Sequence, residues 1–264
     1  MKISILGCGW LGLPLGKYWH DARHTVVGST TREKQLPVLS QAGITPFIIT
    51  LDSDGIHGHI AEFLGESEVL VMAIPPGIRK NPTIDFAEKI QHLIPHLEHS
   101  RLQKLIFVSS TSVYGEHQGE VDEVTVPEPD SESGRQLWNT EQLLHALKHP
   151  EVCVLRLGGL LGPDRHPVTF LSGRTGLSAP QAPVNLIQQQ EVIEVIDFLL
   201  HLEVLPQTVN AVYPQHPEKQ AYYQQVAQLR GLQPPGYNES DKTSGKTVHA
   251  KVLNKLGYHF KHPI

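Results

Sequence analysis

Up to Leu157 the chain alternates between short apolar runs and stretches with helical spacing. Lys2–Leu6, His24–Gly28, Pro46–Thr50, Val69–Ala73, Leu105–Ser109 and Val152–Leu157 are rich in Val, Ile and Leu and predict strands. Leu11–His20, Glu33–Gln41, His59–Leu64, Thr83–His99 (interrupted at Pro95) and Leu137–Leu147 predict helices. The strands are nearly continuous apolar runs, as burial on both faces of a parallel sheet requires. The rhythm therefore predicts an α/β fold, a doubly wound parallel sheet of Rossmann type.

Beyond Leu157 the rhythm breaks. Gly158–Asn185 is rich in Gly, Pro and Ser and predicts loops around a substrate pocket. Glu191–Glu203, Lys219–Arg230 and Ala250–Leu256 read as helices, and Thr208–Tyr213 as a strand able to join the sheet. The expected organisation is a Rossmann domain over 1–157. Residues 158–264 then form pocket loops and a small interleaved C-terminal subdomain, with 191–213 returning to the sheet.

Composition narrows the function classes. The 264 residues are 39% hydrophobic and 19% charged, with a formal charge of −5 and no long basic block, so neither nucleic acid nor a membrane surface is an expected partner. No apolar run spans a bilayer, and the N-terminus enters a strand without a secretory-type apolar region. Cys8 and Cys153 alone make no disulfide framework, which with the other features predicts a cytoplasmic protein. Among the 16 His, His92, His96 and His99 share a helix face and His57 and His59 flank Gly58. No carboxylate stands at a ligand spacing beside them, so no metal is predicted.

The most specific local signal is Gly7-x-Gly9-x-x-Gly12, directly after a strand and opening a helix. The first Gly permits a tight turn, the second lets backbone approach a pyrophosphate, and the third lets helix and strand pack closely. Free N–H groups and the positive helix end then face the phosphates, with Gly7, Gly9, Trp10, Leu11 and Gly12 as the predicted cofactor contacts of the loop. After the second strand comes Gly28-Ser29-Thr30-Thr31-Arg32, with no acid before Glu33 to accept from a ribose 2′-OH. Hydroxyls beside a guanidinium suit a 2′-phosphate, which predicts NADP(H) in preference to NAD; a solvated turn is the alternative for Arg32. Asp52 either meets the adenine side or caps a turn, and Ala73, Ile74 and Pro75, ending the fourth strand, complete the predicted cofactor set.

Val108-Ser109-Ser110-Thr111-Ser112-Val113-Tyr114-Gly115, Leu155-Arg156-Leu157 and Leu161-Gly162-Pro163-Asp164-Arg165 together resemble the extended short-chain dehydrogenase/reductase superfamily, the NAD-dependent epimerases and dehydratases. The resemblance covers nearly the whole chain. It implies that the Ser110 hydroxyl contacts a substrate carbonyl or alcohol beside the nicotinamide, with Thr111 and Ser112 as neighbours and Tyr114 lining the substrate pocket. Strand-end capping is the alternative for the Ser/Thr cluster. Tyr114, a water beside Arg135 and His166 are candidate proton donors. Arg135 and Arg165 are candidates for holding an anionic substrate or, equally, surface ion pairs. Family enzymes often dimerise through helices like Thr83–His99 and Leu137–Leu147, so the resemblance also raises a homodimer.

One departure is pronounced. Aligning the helix before the sixth strand on Glu141 puts Ser133 and Leu137 where the family has its catalytic Tyr-x-x-x-Lys pair, and no Tyr in the chain is followed four residues later by Lys. A Tyr without that Lys titrates near 10 and is a poor general base. The glycine loop is also one residue shorter than the group's Gly-x-x-Gly-x-x-Gly. An atypical oxidoreductase or epimerase-like enzyme acting on a small carbonyl or sugar-like substrate is the first expectation. A non-catalytic NADP(H)-binding sensor or partner-binding module is the second.

Overall fold

The computed structural model describes residues 1–77 and 85–264. Its main sheet has seven strands: β1 (Lys2–Leu6), β2 (Thr25–Thr30), β3 (Thr45–Ile48), β4 (Val69–Met72), β5 (Lys104–Ser110), β6 (Glu151–Leu157) and β7 (Thr208–Ala211). Their spatial order is β3-β2-β1-β4-β5-β6-β7, and the pairs β1·β2, β1·β4, β2·β3 and β4·β5 are parallel. This is the doubly wound Rossmann arrangement. Strand order reverses between β1 and β4, so the switch point lies at their carboxyl ends, where the glycine loop and Ala73–Pro75 begin.

The chain divides into two compact units. The first takes Met1–Ser109, Glu132–Leu155 and Ile196–Thr208. Its core is built on the apolar strands: Ile3, Ile5, Leu70, Val71, Met72, Ile106 and Phe107 are all buried. Gly12–Asp21 is its first helix, burying Leu15 and Trp19, and Trp19 Nε1 donates to Asp197 at 2.9 Å. The predicted helix Thr83–His99 begins outside the described residues; Phe86–Gln91 and Ile94–Glu98 are separate helices, the first capped by Asp85, which accepts from Glu88 N. Pro95 falls in the first turn of the second, where its missing N–H costs nothing. The helix read as Leu137–Leu147 runs from Glu132 to His145. A small antiparallel hairpin, Thr50–Asp52 with Gly55–His57, replaces the end of the predicted third strand.

The second unit takes Ser110–Ser131, Arg156–Val195 and Val209–Ile264. Leu161, Val168, Val184, Leu186, Tyr222, Tyr223 and Ala227 form its core. The stretch expected to be loops contains Gly159–Leu161, paired in parallel with Leu186–Gln188, and a short helix at Val168–Leu171. Glu120–Val121 pairs in parallel with Thr247–Val248. Helices Gln189–Leu200 and Lys219–Leu229 lie close to their expected positions. Among the described residues no helix is long and apolar enough to cross a membrane.

Candidate functional site

Each glycine of the loop meets a different constraint. Gly7 has φ +102, and a Cβ there would stand 2.7 Å from Ile74 Cγ2 and 2.9 Å from the Ala73 carbonyl oxygen. The loop after β1 therefore lies directly against the residues that follow β4. A Cβ on Gly12 would fall 2.3 Å from the Gly7 carbonyl oxygen, so the helix packs too closely on the turn for any side chain. Among the described residues nothing lies within 4 Å of the same position on Gly9, so they leave the middle of the loop open. Leu11 precedes the helix with no side-chain cap, and the first turn carries no acidic residue. An open cradle over an uncapped helix end fits a pyrophosphate.

Ser29 is fully engaged behind this loop. Its Oγ accepts from Gly7 N at 2.9 Å and its carbonyl accepts from Cys8 N at 2.7 Å. Thr30 is buried and accepts from Arg32 N at 3.2 Å. Only Thr31 and Arg32 of the four predicted residues are exposed. Asp52 Oδ1 accepts from Asp54 N at 3.0 Å and pairs with His57 in the hairpin turn. Cys8 is buried against Gly28, and that burial, only partly offset by the Ser29 bond, pushes its thiol up to about 12.

The substrate-side residues are less available than their motif suggests. Ser110 is half-buried at the end of β5, and its Oγ accepts from Ser112 N at 3.1 Å, the capping geometry of a strand end. Thr111 is buried. Tyr114, expected to line the pocket, is instead enclosed: its hydroxyl bonds to the Asp122 carbonyl at 2.8 Å and to Asn210 Oδ1 at 3.1 Å, and accepts from Arg156 Nη1 at 2.7 Å. Burial raises its pKa despite the neighbouring Arg156, so it is a structural tyrosine and a poor proton donor. His166 is also buried. Val168 N donates to its Nδ1 at 3.1 Å, which places the proton on Nε2, 3.2 Å from the Tyr222 hydroxyl. Burial, with a contribution from Arg230, holds it down at about 4. It is a neutral packing residue.

Arg135 pairs with Glu132 at 2.7 Å on the surface. Arg165 is exposed and closes a small bridge with Gly162. Ser133 is half-buried and Leu137 buried on the helix where the family has Tyr and Lys. Two open clefts, of about 670 and 460 Å³, hold none of the predicted residues: one lies at the amino ends of β5–β7, the other beside Gly162, Gln188 and Arg230.

Two features escaped the sequence reading. Lys246 is buried, donates to the Tyr114 carbonyl and pairs with Glu116 at 3.1 Å. Asn185 holds that segment, donating to the Lys246 carbonyl and accepting from Val248 N, each at 2.8 Å. Ser109 Oγ donates to the fully buried Glu141 at 2.5 Å. Glu141 was legible as a carboxylate at apolar helix spacing with Leu137 and Leu144; the Lys246 arrangement had no local signal.

A scan against protein-family models found no match. The chain is 34% identical over 271 residues to Protein YeeZ of Escherichia coli K12, covering 99% of this chain and 96% of that protein. Among solved structures, a Methylobacillus flagellatus protein classed with the NAD-dependent epimerase/dehydratases is 25% identical, with a TM-score of 0.81 over 100% of this chain and 94% of the other. A UDP-glucuronic acid 4-epimerase from Bacillus cereus, in complex with UDP-glucuronic acid and NAD, shares the fold at 19% identity and a TM-score of 0.80, covering 100% of this chain and 95% of that one.

Proposed function

We propose, from the premise that the chain belongs to the family of Protein YeeZ and is an atypical member of the extended short-chain dehydrogenase/reductase superfamily, that it is an NADP(H)-binding enzyme of oxidoreductase or epimerase type acting on a small carbonyl or sugar-like substrate. The observation that carries the reading is the glycine loop, closed around Gly7 and Gly12 and open over Gly9. Gly9, Trp10, Leu11 and Gly12 would hold the pyrophosphate, and Ala73, Ile74 and Pro75 would border it. Arg32, exposed past the end of β2, supports NADP(H) over NAD because its planar cation suits a 2′-phosphate. The NAD in the Bacillus cereus complex supports a nicotinamide dinucleotide, and its UDP-sugar supports a sugar-like substrate.

A nicotinamide dinucleotide supplies hydride transfer when bound. The chain's own part is to orient it and to polarise the substrate. Ser110 is the hydroxyl for that second task, since its oxygen already accepts from Ser112 N and its O–H can still donate. Buried Leu137 at the Lys position favours a second reading, a non-catalytic NADP(H)-binding module.

Two measurements test these readings. NADPH and NADH are titrated against wild type and Arg32→Glu; wild type should prefer NADPH and the variant should lose that preference by about tenfold or more, since a charge-assisted bond is replaced by repulsion. Equal affinities in wild type would refute the 2′-phosphate assignment. NADPH turnover with a carbonyl panel should fall in Ser110→Ala, and binding without any turnover selects the non-catalytic reading.

A further inference from the structure

Ser109 is buried at the penultimate position of β5 and donates to Oε1 of Glu141, itself fully buried on the Glu132–His145 helix. Both residues lie in the first unit. Burial makes each donor to a carboxyl costly to lose, so the Ser109 bond to Glu141 is held firmly. Consecutive strand residues point to opposite faces. Ser110 is still extended, at φ −144 and ψ 149, so anchoring Ser109 inward on Glu141 holds the backbone from which Ser110 points to the opposite face, where its Oγ accepts from Ser112 N. Ser133, Leu137 and Glu141 share one helix face at successive four-residue steps. With Leu137 standing where the family has Lys, Glu141 is the ionisable group this face keeps towards β5.

We propose that Glu141 is a positioning residue that acts through Ser109 to fix the end of β5, and with it the strand-end turn in which the Ser110 hydroxyl accepts from Ser112 N, in a single conformation. The proposal rests on the reading of Ser110 as the hydroxyl that meets the substrate.

The test compares the full chain as wild type, Ser109→Ala, Glu141→Gln and Glu141→Leu, by two measurements. Side-chain NMR couplings of Ser110 report its χ1 rotamer directly, without need of turnover. Wild type and Glu141→Gln should show one rotamer, because the amide oxygen can still accept from Ser109. Ser109→Ala and Glu141→Leu should show averaging. In the carbonyl assay the same two variants should lose between about tenfold and a hundredfold in kcat, with KM little changed and activity retained in Glu141→Gln. Should Glu141→Leu fail to fold, Ser109→Ala, which removes one oxygen, decides the matter. A Ser110 rotamer unchanged in Ser109→Ala, or already averaged in wild type, overturns the proposal. Couplings that respond as expected while Ser110→Ala leaves turnover untouched would uphold the positioning and refute instead the catalytic reading of Ser110.

Discussion

Replacing Gly12 by Ala sets a methyl carbon 2.3 Å from the Gly7 carbonyl oxygen and 3.1 Å from both the Gly7 carbonyl carbon and Ile5 Cγ2. The closest neighbour is backbone, so no rotamer change relieves the clash. Overpacking costs about 1–3 kcal/mol, here at the upper end, and the better helix propensity of Ala returns up to about 1 kcal/mol. The net loss is about 2 kcal/mol, or roughly 4–8 °C in Tm for a chain of this size. Gly9→Ala is the matched control, because its methyl meets none of the described residues within 4 Å. Without nucleotide its stability should stay within about 0.5 kcal/mol of wild type. If the loop holds a pyrophosphate as proposed, its methyl would stand where the phosphate oxygens approach, and loss of one charge-assisted bond would weaken binding by about tenfold or more. At an NADPH concentration of about 100 times the wild-type Kd, wild type gains about 2.7 kcal/mol, and a tenfold weaker variant about 1.4 kcal/mol. Thermal melts with and without NADPH, with Kd from NADPH fluorescence, read both effects. A Gly12→Ala protein as stable as wild type would refute the packing argument. A full nucleotide shift in Gly9→Ala would refute the cradle.

Two further outcomes follow from buried side chains. His166 is held at about 4 against an ordinary value near 6.5, so the unfolded chain takes up the proton first. Its contribution is complete above about pH 6.5 and declines as pH falls towards 4, by an amount on the order of 2 kcal/mol after allowance for solvent at its edge; a His166 ring signal titrating near its ordinary value would contradict this. Tyr114→Phe leaves Arg156 and Asn210 without the hydroxyl and should cost about 1–3 kcal/mol in urea unfolding, with NADPH affinity unchanged; a fall in affinity at unaltered stability would return Tyr114 to the site.

The glycine loop and the apolar strands were readable because each is a local pattern. Errors arose where polar residues carry structure. The pattern ends β2 at Gly28, yet Ser29 and Thr30 continue it by pairing with Phe47 and Ile48 of β3, while their hydroxyls accept from Gly7 N and Arg32 N. The helix at Glu132 starts five residues before the first apolar position of its predicted span, because Ser133-Gly134-Arg135-Gln136 shows no apolar periodicity, although Gly134 and Gln136 are buried. Tyr114 and His166 show a different limit. A motif names a residue, but the direction of its side chain depends on distant partners such as Asn210 and Tyr222. The two-residue pairing of Glu120–Val121 with Thr247–Val248 is too short to leave any periodic trace.

The contact of Lys246 with the Tyr114 carbonyl joins residues 132 positions apart. At translation rates of about 5–20 residues per second, the turn after Ser110 waits roughly 7–26 s on the ribosome before its lysine is made. The first unit likewise needs Ile196–Thr208, and the second is complete only with its final stretch, Val209–Ile264. Nascent chains of intermediate length therefore hold the glycine loop early but not the Lys246 support beneath Tyr114. Chaperone demand during synthesis should therefore fall only once Lys246 and the rest of Val209–Ile264 have emerged.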